Sequence, residues 1–168
     1  MADAPNGGQG APTLQAPPFA INLQYIRDLS FENPNAPQSF NNSGDAPQIS
    51  VDVNVAAKPV GTNLFETALT IRAEAKRGDN VMFIVELSYA GICAVAAELP
   101  AEHVRPVILI EGPRFLFPFA RAIIADAVRD GGFPPLFITP IDFAQLYRLQ
   151  QQRAAEQAES VTGAKPDA

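Results

Sequence analysis

The chain has 168 residues, a formal net charge of −6, 47% apolar residues and only 18% charged residues. The acidic balance argues against nucleic acid as the main partner, because a phosphate backbone binds lysine- and arginine-rich surfaces. One cysteine and one histidine cannot form an internal disulfide or a zinc site, and the start of the chain lacks the cationic and apolar segments of a signal peptide. We therefore expect a cytoplasmic protein without metal or other cofactor, whose sparse charges predict an oligomer.

Both ends of the chain differ in composition from the middle. Residues 1–18 are rich in glycine, proline and alanine and hold few bulky apolar side chains, so we predict a disordered N-terminal extension. Residues 154–168 are polar and small, and we predict a flexible C-terminal tail. The folded domain is expected to span residues 19–153.

Four segments alternate apolar and polar residues with the period of a β-strand, and the apolar residues are odd-numbered in each. These segments cover residues 19–31, 49–55, 65–71 and 81–89, and residues 77–80 between the last two favour a hairpin turn. In the first segment the apolar face is predicted to comprise Phe19, Ile21, Leu23, Tyr25, Leu29 and Phe31.

Helical spacing follows the strands. The first helical stretch, near residues 102–110, is poorly marked because Pro106 and Pro113 interrupt it. A second helix is predicted to start near Pro118 and to end at the glycine pair at 131–132. Asp142 is predicted to cap a third helix, with Gln145 three residues later. Strands followed by helices predict an α+β domain, in which helices pack on one face of a four-stranded antiparallel sheet.

Catalytic chemistry finds no support in the residues. His103 lies in a stretch broken by prolines and is expected at the surface, while Cys93 lies in an apolar run that predicts a buried thiol. Glu102 lies beside His103, but a surface histidine is the better interpretation, and neither residue marks a nucleophile with its base. We therefore predict that the protein is not an enzyme.

Several separated motifs carry a family resemblance. They are DLSFENPNAP at residues 28–37, LFPFAR at 116–121, GGFPPL at 131–136 and TPIDFAQLY at 139–147. In this order they resemble the SecB family of protein-export chaperones. The resemblance implies an ATP-independent cytoplasmic holdase that binds unfolded precursor proteins, keeps them competent for translocation and delivers them to the ATPase SecA. It also implies a homotetramer, a dimer of dimers, whose subunit interface we expect to include Phe115, Phe119, Leu87 and Tyr89.

Strand alternation places a group of carboxylates on the sheet face away from the helices. Even-numbered positions 28, 30 and 32 are expected to share that face with positions 84, 86 and 88. From the residues alone this is an ordinary solvated face. The resemblance implies instead that this face binds the basic C-terminal tail of SecA. The contacts on this chain would be made by Asp28, Glu32, Ile84 and Glu86.

Proline-rich loops with aromatic residues predict an apolar binding groove. By the resemblance, the residues that line it for unfolded clients are Phe40, Phe133, Leu136 and Phe137; the alternative is that some of the last three belong to the core. The family often has a tryptophan shortly after the Phe40 position, where this chain has residues 41–46, NNSGDA. The alternative function is a small oligomeric α+β enzyme or lipid-binding domain that holds an apolar ligand in an aromatic cavity.

Overall fold

The computed structural model describes residues 18–41, 44 and 46–162, with side chains to residue 157. Residues 1–17 of the predicted extension therefore lie outside the described residues. Within the described part the chain forms four strands followed by two long helices, which confirms the predicted fold class. The elements are β1 (Phe19–Glu32), β2 (Gln48–Gly61), β3 (Leu64–Arg77), β4 (Asn80–Val95), α1 (Ala101–Asp130) and α2 (Phe143–Thr162), with a short 3-10 helix at Gln38–Phe40.

The sheet is antiparallel throughout, in the order β1-β4-β3-β2, so β1 and β2 are its edges. Odd-numbered residues of β3 and β4 face α1, as predicted, and we call this the inner face. Leu69, Ile71 and Val85 are completely buried there and pack with Leu116 and Ile124 of α1. The core therefore lies between the two central strands and α1, and α1 leaves parts of the edge strands β1 and β2 uncovered.

Strand β1 departs from the predicted alternation because it contains two bulges. Its register with β4 shifts between Ile21 and Leu23 and again between Ile26 and Asp28, so Asn22 and Arg27 are extra residues. Each extra residue reverses the alternation of side chains. The predicted inward position of Leu23 and Tyr25 is therefore wrong: these two side chains lie on the outer face, while the second bulge restores the predicted parity for residues 28–32.

The helical region also differs from the prediction. Pro106, Pro113 and Pro118 all lie inside α1, which is one helix of 30 residues rather than two separated segments. Each internal proline removes a hydrogen bond and costs about 3 kcal/mol. Burial of residues such as Leu116 and Ile124 along the whole inner side of α1 offsets that cost, because each fully buried aliphatic side chain contributes about 1.5–3 kcal/mol.

Helix α2 begins where the sequence predicts. The Asp142 carboxylate accepts a hydrogen bond from the Gln145 backbone N–H at 3.0 Å, as an N-cap residue does. The helix then continues to Thr162, past the predicted domain end at residue 153, because alanine, glutamate and glutamine favour helix in this segment. Residues 163–168 lie outside the described part, and the flexibility of the tail stays a prediction. No helix of the described part has the length and apolar character that a membrane span requires.

Candidate functional site

An aromatic cavity of about 510 Å³ opens between the 3-10 helix, the start of β2 and the loop that follows α1. The Phe40 and Phe133 rings lie 5.1 Å apart between centroids and form part of its wall. Gly132 lets the loop approach this closely: its φ is +89°, and a Cβ there would lie 2.9 Å from the Phe40 ring. A larger residue at position 132 would therefore push Phe40 out of the wall.

A second cavity, of about 350 Å³, adjoins the first and is lined by the loop from Leu136 to Ile141 and by the inner face of β2. Leu136 lines both cavities, so we treat them as one groove. Phe137 is 66% exposed at this groove, and the Arg121 guanidinium lies 5.9 Å from the centre of its ring. The face of an aromatic ring attracts a cation, so the Arg121 guanidinium favours this orientation of the exposed Phe137 ring.

The predicted groove residues thus come together, although they are not equivalent. Phe40 is 43% exposed, whereas Phe133 is only 7% exposed and packs against Phe83 at 5.0 Å between centroids. Phe133 is therefore both a core residue and part of the cavity wall. The opposite wall, which was not predicted from the sequence, consists of Ile49, Val51 and Val53 of β2. Their odd numbering predicted an inner-face position, and only the position of β2 at the sheet edge leaves them open to solvent.

The outer face carries the predicted group of carboxylates. In the register of β1 with β4, Asp28 lies opposite Ser88, Ser30 opposite Glu86 and Glu32 opposite Ile84. The carboxylates of residues 28, 32 and 86 are exposed, and none of them forms an ion pair within the described part of the chain. Glu32 lies opposite the half-buried Ile84 and Glu86 lies two residues along β4, while Asp28 extends the acidic surface to Ser88, so the predicted residues share one face.

Strand β3 also contributes charged residues to this surface, and these were not predicted from the sequence. Glu74 lies opposite Ile84 and pairs with Lys76 at 2.6 Å and with Arg72 at 2.9 Å. These two cations hold the pKa of the Glu74 carboxyl below its ordinary value. Arg72 itself lies opposite Glu86, and it bounds the unpaired carboxylates on one side. The even numbering of these β3 residues is the signal that could have placed them here.

A separate charged cluster lies at the other end of the outer face. The Glu66 carboxylate pairs with Lys58 at 2.8 Å and with Arg27 at 3.7 Å, and it accepts a hydrogen bond from the Tyr25 hydroxyl. The hydrogen bond from Lys58, followed by that from Tyr25, holds the pKa of Glu66 below its ordinary value. Because Glu66 is only 8% exposed, this cluster links β1, β2 and β3 to one another rather than presenting a free carboxylate.

The inner face leaves an exposed apolar patch beside α1. Phe115 and Phe119 are 54% and 52% exposed, and Ile26 and Leu29 of β1 are exposed nearby on the same face of the sheet. We call these four residues the edge patch. Tyr89 is buried and packs beneath Phe119, with 6.4 Å between their ring centroids.

One predicted interface residue is corrected by its burial. Leu87 has no exposed surface and packs in the core between the sheet and α1, so it is not available to a second subunit. The expectation failed because Leu87 lies on the central strand β4, where the helix covers the inner face completely. Ile26 and Leu29 lie on the uncovered edge strand instead, and the bulge at Asn22 brings Ile26 to this face.

The cysteine and the histidine occupy ordinary positions. Cys93 is fully buried, and burial raises the pKa of its thiol, which disfavours the reactive thiolate. His103 is exposed near the start of α1. Across the described residues no three histidine, cysteine, aspartate or glutamate side chains cluster as metal ligands would. The features with binding geometry are therefore the groove, the acidic outer face and the edge patch.

Comparison with known protein families gives a match over most of the chain. The family described as preprotein translocase subunit SecB matches residues 13–154. A protein-export protein SecB of Agrobacterium fabrum is 51% identical over 164 residues, which cover 98% of this chain and 99% of the relative. A protein-export protein SecB of Bradyrhizobium sp. strain BTAi1 is 51% identical over 150 residues, covering 88% of this chain and 92% of the relative.

A solved structure supports the fold independently. A SecB-like chaperone of Mycobacterium tuberculosis, determined in complex with a peptide from an antitoxin, superposes with a TM-score of 0.60 at 12% identity. The match covers 73% of this chain and 90% of that chain. At this identity the likeness shows the shared fold.

Proposed function

This chain belongs to the SecB family of protein-export chaperones, and we propose that it acts as an ATP-independent cytoplasmic holdase, which binds unfolded precursor proteins in the groove. The observation that carries this proposal is the groove itself. Two adjoining cavities place the exposed rings of Phe40 and Phe137 opposite the uncovered apolar residues of β2. A folded protein does not present apolar segments to such a groove, whereas an unfolded chain does.

The physics of this groove favours weak binding of each segment and tight binding of long clients. Apolar burial contributes about 25 cal/mol per Å², and ordering a flexible chain offsets much of that gain. A client that occupies several grooves at once gains perhaps 10²- to 10⁴-fold in avidity. The holdase therefore selects clients by how long they stay unfolded and by their length, and it needs no sequence motif.

Several grooves require several subunits, and we propose the homotetramer that the family resemblance implies, a dimer of dimers, with the edge patch in one of its interfaces. Phe115, Phe119, Ile26 and Leu29 expose adjacent apolar surface on a domain of 168 residues. Burial of such a patch against another copy removes this surface from water and leaves the groove open, because the groove lies at the opposite edge of the sheet, along β2.

Delivery of clients is proposed to use the acidic outer face. Asp28, Glu32 and Glu86 are exposed carboxylates without a cationic partner in the described part of the chain, and Ile84 supplies an apolar centre. This arrangement suits a basic partner surface, such as the C-terminal tail of the translocation ATPase SecA. The groove opens on the inner face and the acidic surface lies on the outer face, so a client and the ATPase can bind together.

The test of this function is the aggregation of an unfolded protein followed by light scattering. We expect the chain to suppress aggregation at near-stoichiometric amounts without nucleotide. A Phe137→Ser variant should require a several-fold higher concentration for the same suppression, while Glu98→Ser, which changes an exposed residue in the loop before α1, should behave as the original chain. Tight binding of a small apolar ligand without any effect on aggregation would favour a lipid-binding domain and contradict the proposal.

A further inference from the structure

The acidic outer face is bounded by a row of alternating charges on β3. Arg72, Glu74 and Lys76 occupy successive outer positions of this strand. Each oxygen of the Glu74 carboxylate binds one cation: Oε1 lies 2.6 Å from the Lys76 Nζ, and Oε2 lies 2.9 Å from the Arg72 Nη2. The Glu74 side chain is only 12% exposed between these neighbours, so it presents little surface to a partner. Glu74 therefore belongs to this row of charges and not to the unpaired carboxylates of the face.

The pairing of Arg72 is not the one that the strand register favours. Arg72 lies directly opposite Glu86 on β4. The Cβ atoms of directly opposite residues are about 4.5–5.5 Å apart, whereas residues two apart on one strand are separated by about 6.6 Å. The Arg72 guanidinium nevertheless binds Glu74, and Glu86 forms no ion pair among the residues that the structure describes. The carboxylate at the nearer position is thus left unpaired and exposed.

Glu74 accounts for this choice because both of its oxygens are bound. Charge-assisted hydrogen bonds from Lys76 and from Arg72 hold the carboxylate in one orientation and hold the pKa of Glu74 below its ordinary value. If Glu74 carried no charge, the carboxylates opposite Arg72 would be Glu86 on β4 and Asp52 on β2. The Glu86 side chain is longer by one methylene and belongs to a group of unpaired carboxylates, whose negative potential attracts a cation. Arg72 would therefore turn to Glu86.

We propose that Glu74 is a positioning residue for the acidic outer face: it holds Arg72 along β3 and thereby keeps the Glu86 carboxylate available to a basic partner. This inference rests on the proposed delivery function and deepens it. Without Glu74, the chain's own Arg72 would occupy Glu86, and a basic partner would have to displace it before binding. In this way a carboxylate that does not contact the partner raises the affinity of the one that does.

The test is a double-mutant cycle on the full chain, with binding to SecA measured by calorimetry at low salt. Glu74→Gln removes the charge that holds Arg72, and Arg72→Gln removes the competing cation. We expect Glu74→Gln to lower the affinity about three- to fivefold in the original chain but less than about twofold in the Arg72→Gln chain, because an exposed cross-strand ion pair contributes up to about fivefold. Lys76 needs no second cycle, since its register partners Gln48 and Val81 carry no charge.

Two controls separate the positioning role from charge and from folding. Glu98→Gln removes one negative charge from an exposed loop and should leave the affinity unchanged. A crystal structure of Glu74→Gln should place the Arg72 guanidinium within about 4 Å of the Glu86 carboxylate, which is the limit of an ion pair. If Glu74→Gln does not fold, Glu74→Thr, which suits a strand, takes its place in the same cycle.

The outcomes separate the inference from the function on which it rests. Equal losses from Glu74→Gln in the original chain and in Arg72→Gln would mean that Glu74 acts through its charge alone; this result, or no loss at all, would overturn the inference and leave the delivery function standing. An Arg72 side chain that turns to Asp52 or to solvent in the crystal of Glu74→Gln would overturn it as well. If the original chain does not bind SecA, the proposed delivery function is wrong and the inference falls with it.

Discussion

Phe133 and Phe137 lie four residues apart in the same loop region, yet the structure predicts opposite consequences when each is changed to serine. Phe133 is 7% exposed and packs among Phe31, Phe40 and Phe83, so its loss leaves a cavity in the core. Truncation of such a buried phenylalanine costs about 3–5 kcal/mol. Phe137 is 66% exposed, so only about a third of its burial is lost and the cost should be about 1 kcal/mol, including its contact with Arg121.

Client affinity should be lowered by Phe137→Ser even though this substitution costs little stability. Phe137→Ser should lower the affinity for an unfolded polypeptide about five- to twentyfold, since an exposed ring that a client buries contributes to affinity rather than to folding. Urea unfolding gives the free energy of unfolding of each variant, and anisotropy with a labelled, permanently unfolded polypeptide gives the affinity. Full client affinity of Phe137→Ser would refute the assignment of the groove. A loss of more than about 3 kcal/mol for Phe137→Ser would make this residue part of the core.

Three further predictions concern the charged surfaces and the oligomer. Glu86→Lys should weaken binding to SecA or to its basic tail at least tenfold in calorimetry at low salt and leave client affinity intact, whereas Glu98→Lys on a distant loop should do neither; equal effects of the two would mean a general charge effect. Glu66→Gln should lower the free energy of unfolding by about 1–2 kcal/mol at pH 7, since Glu66 loses its bond to Lys58. The pKa of Glu66 is depressed below its ordinary 4.5, so this stability is present above pH 4.5 and the deficit of the variant should shrink as pH falls below that value; a deficit independent of pH would contradict it. Phe119→Glu should reduce the mass seen by light scattering after gel filtration from four subunits to two or one, and an unchanged mass would remove the edge patch from the interface.

The sheet could be predicted from the sequence because alternation in β2, β3 and β4 is nearly unbroken. The same rule failed in β1, where the extra residues Asn22 and Arg27 reverse the direction of the side chains between them. A bulge leaves no signature in the apolar pattern when both faces of the strand carry apolar residues, as at Leu23 and Ile26. The second bulge restores the predicted parity of residues 28–32, however, so the acidic residues of β1 and β4 lie on one face as predicted.

The helices show a second limit. Proline disfavours the interior of a helix, so the sequence predicts breaks at Pro106, Pro113 and Pro118. That preference of single residues does not include the apolar burial along α1, which keeps the 30-residue helix continuous. The groove shows a third limit. Phe133 lies within a motif that carries the family resemblance, and Phe40 and Phe137 lie in the adjoining loops, so these three could be identified from the sequence, but the wall formed by β2 depends on strand order. In the structure β2 pairs with β3 only and lies at the sheet edge, and this position leaves the apolar face of β2 open.

The most direct test of client binding in the groove is to map where an unfolded chain contacts the protein. A photo-crosslinking amino acid at Phe137 lies in the groove, and the same amino acid at Asp52 lies exposed on the outer face of β2. With an unfolded precursor and no nucleotide, we expect efficient crosslinks from position 137 and few from position 52, and the crosslinks should disappear once the precursor has folded. Equal crosslinking from both faces, or crosslinking from position 52 alone, would contradict the central claim that the groove holds the client.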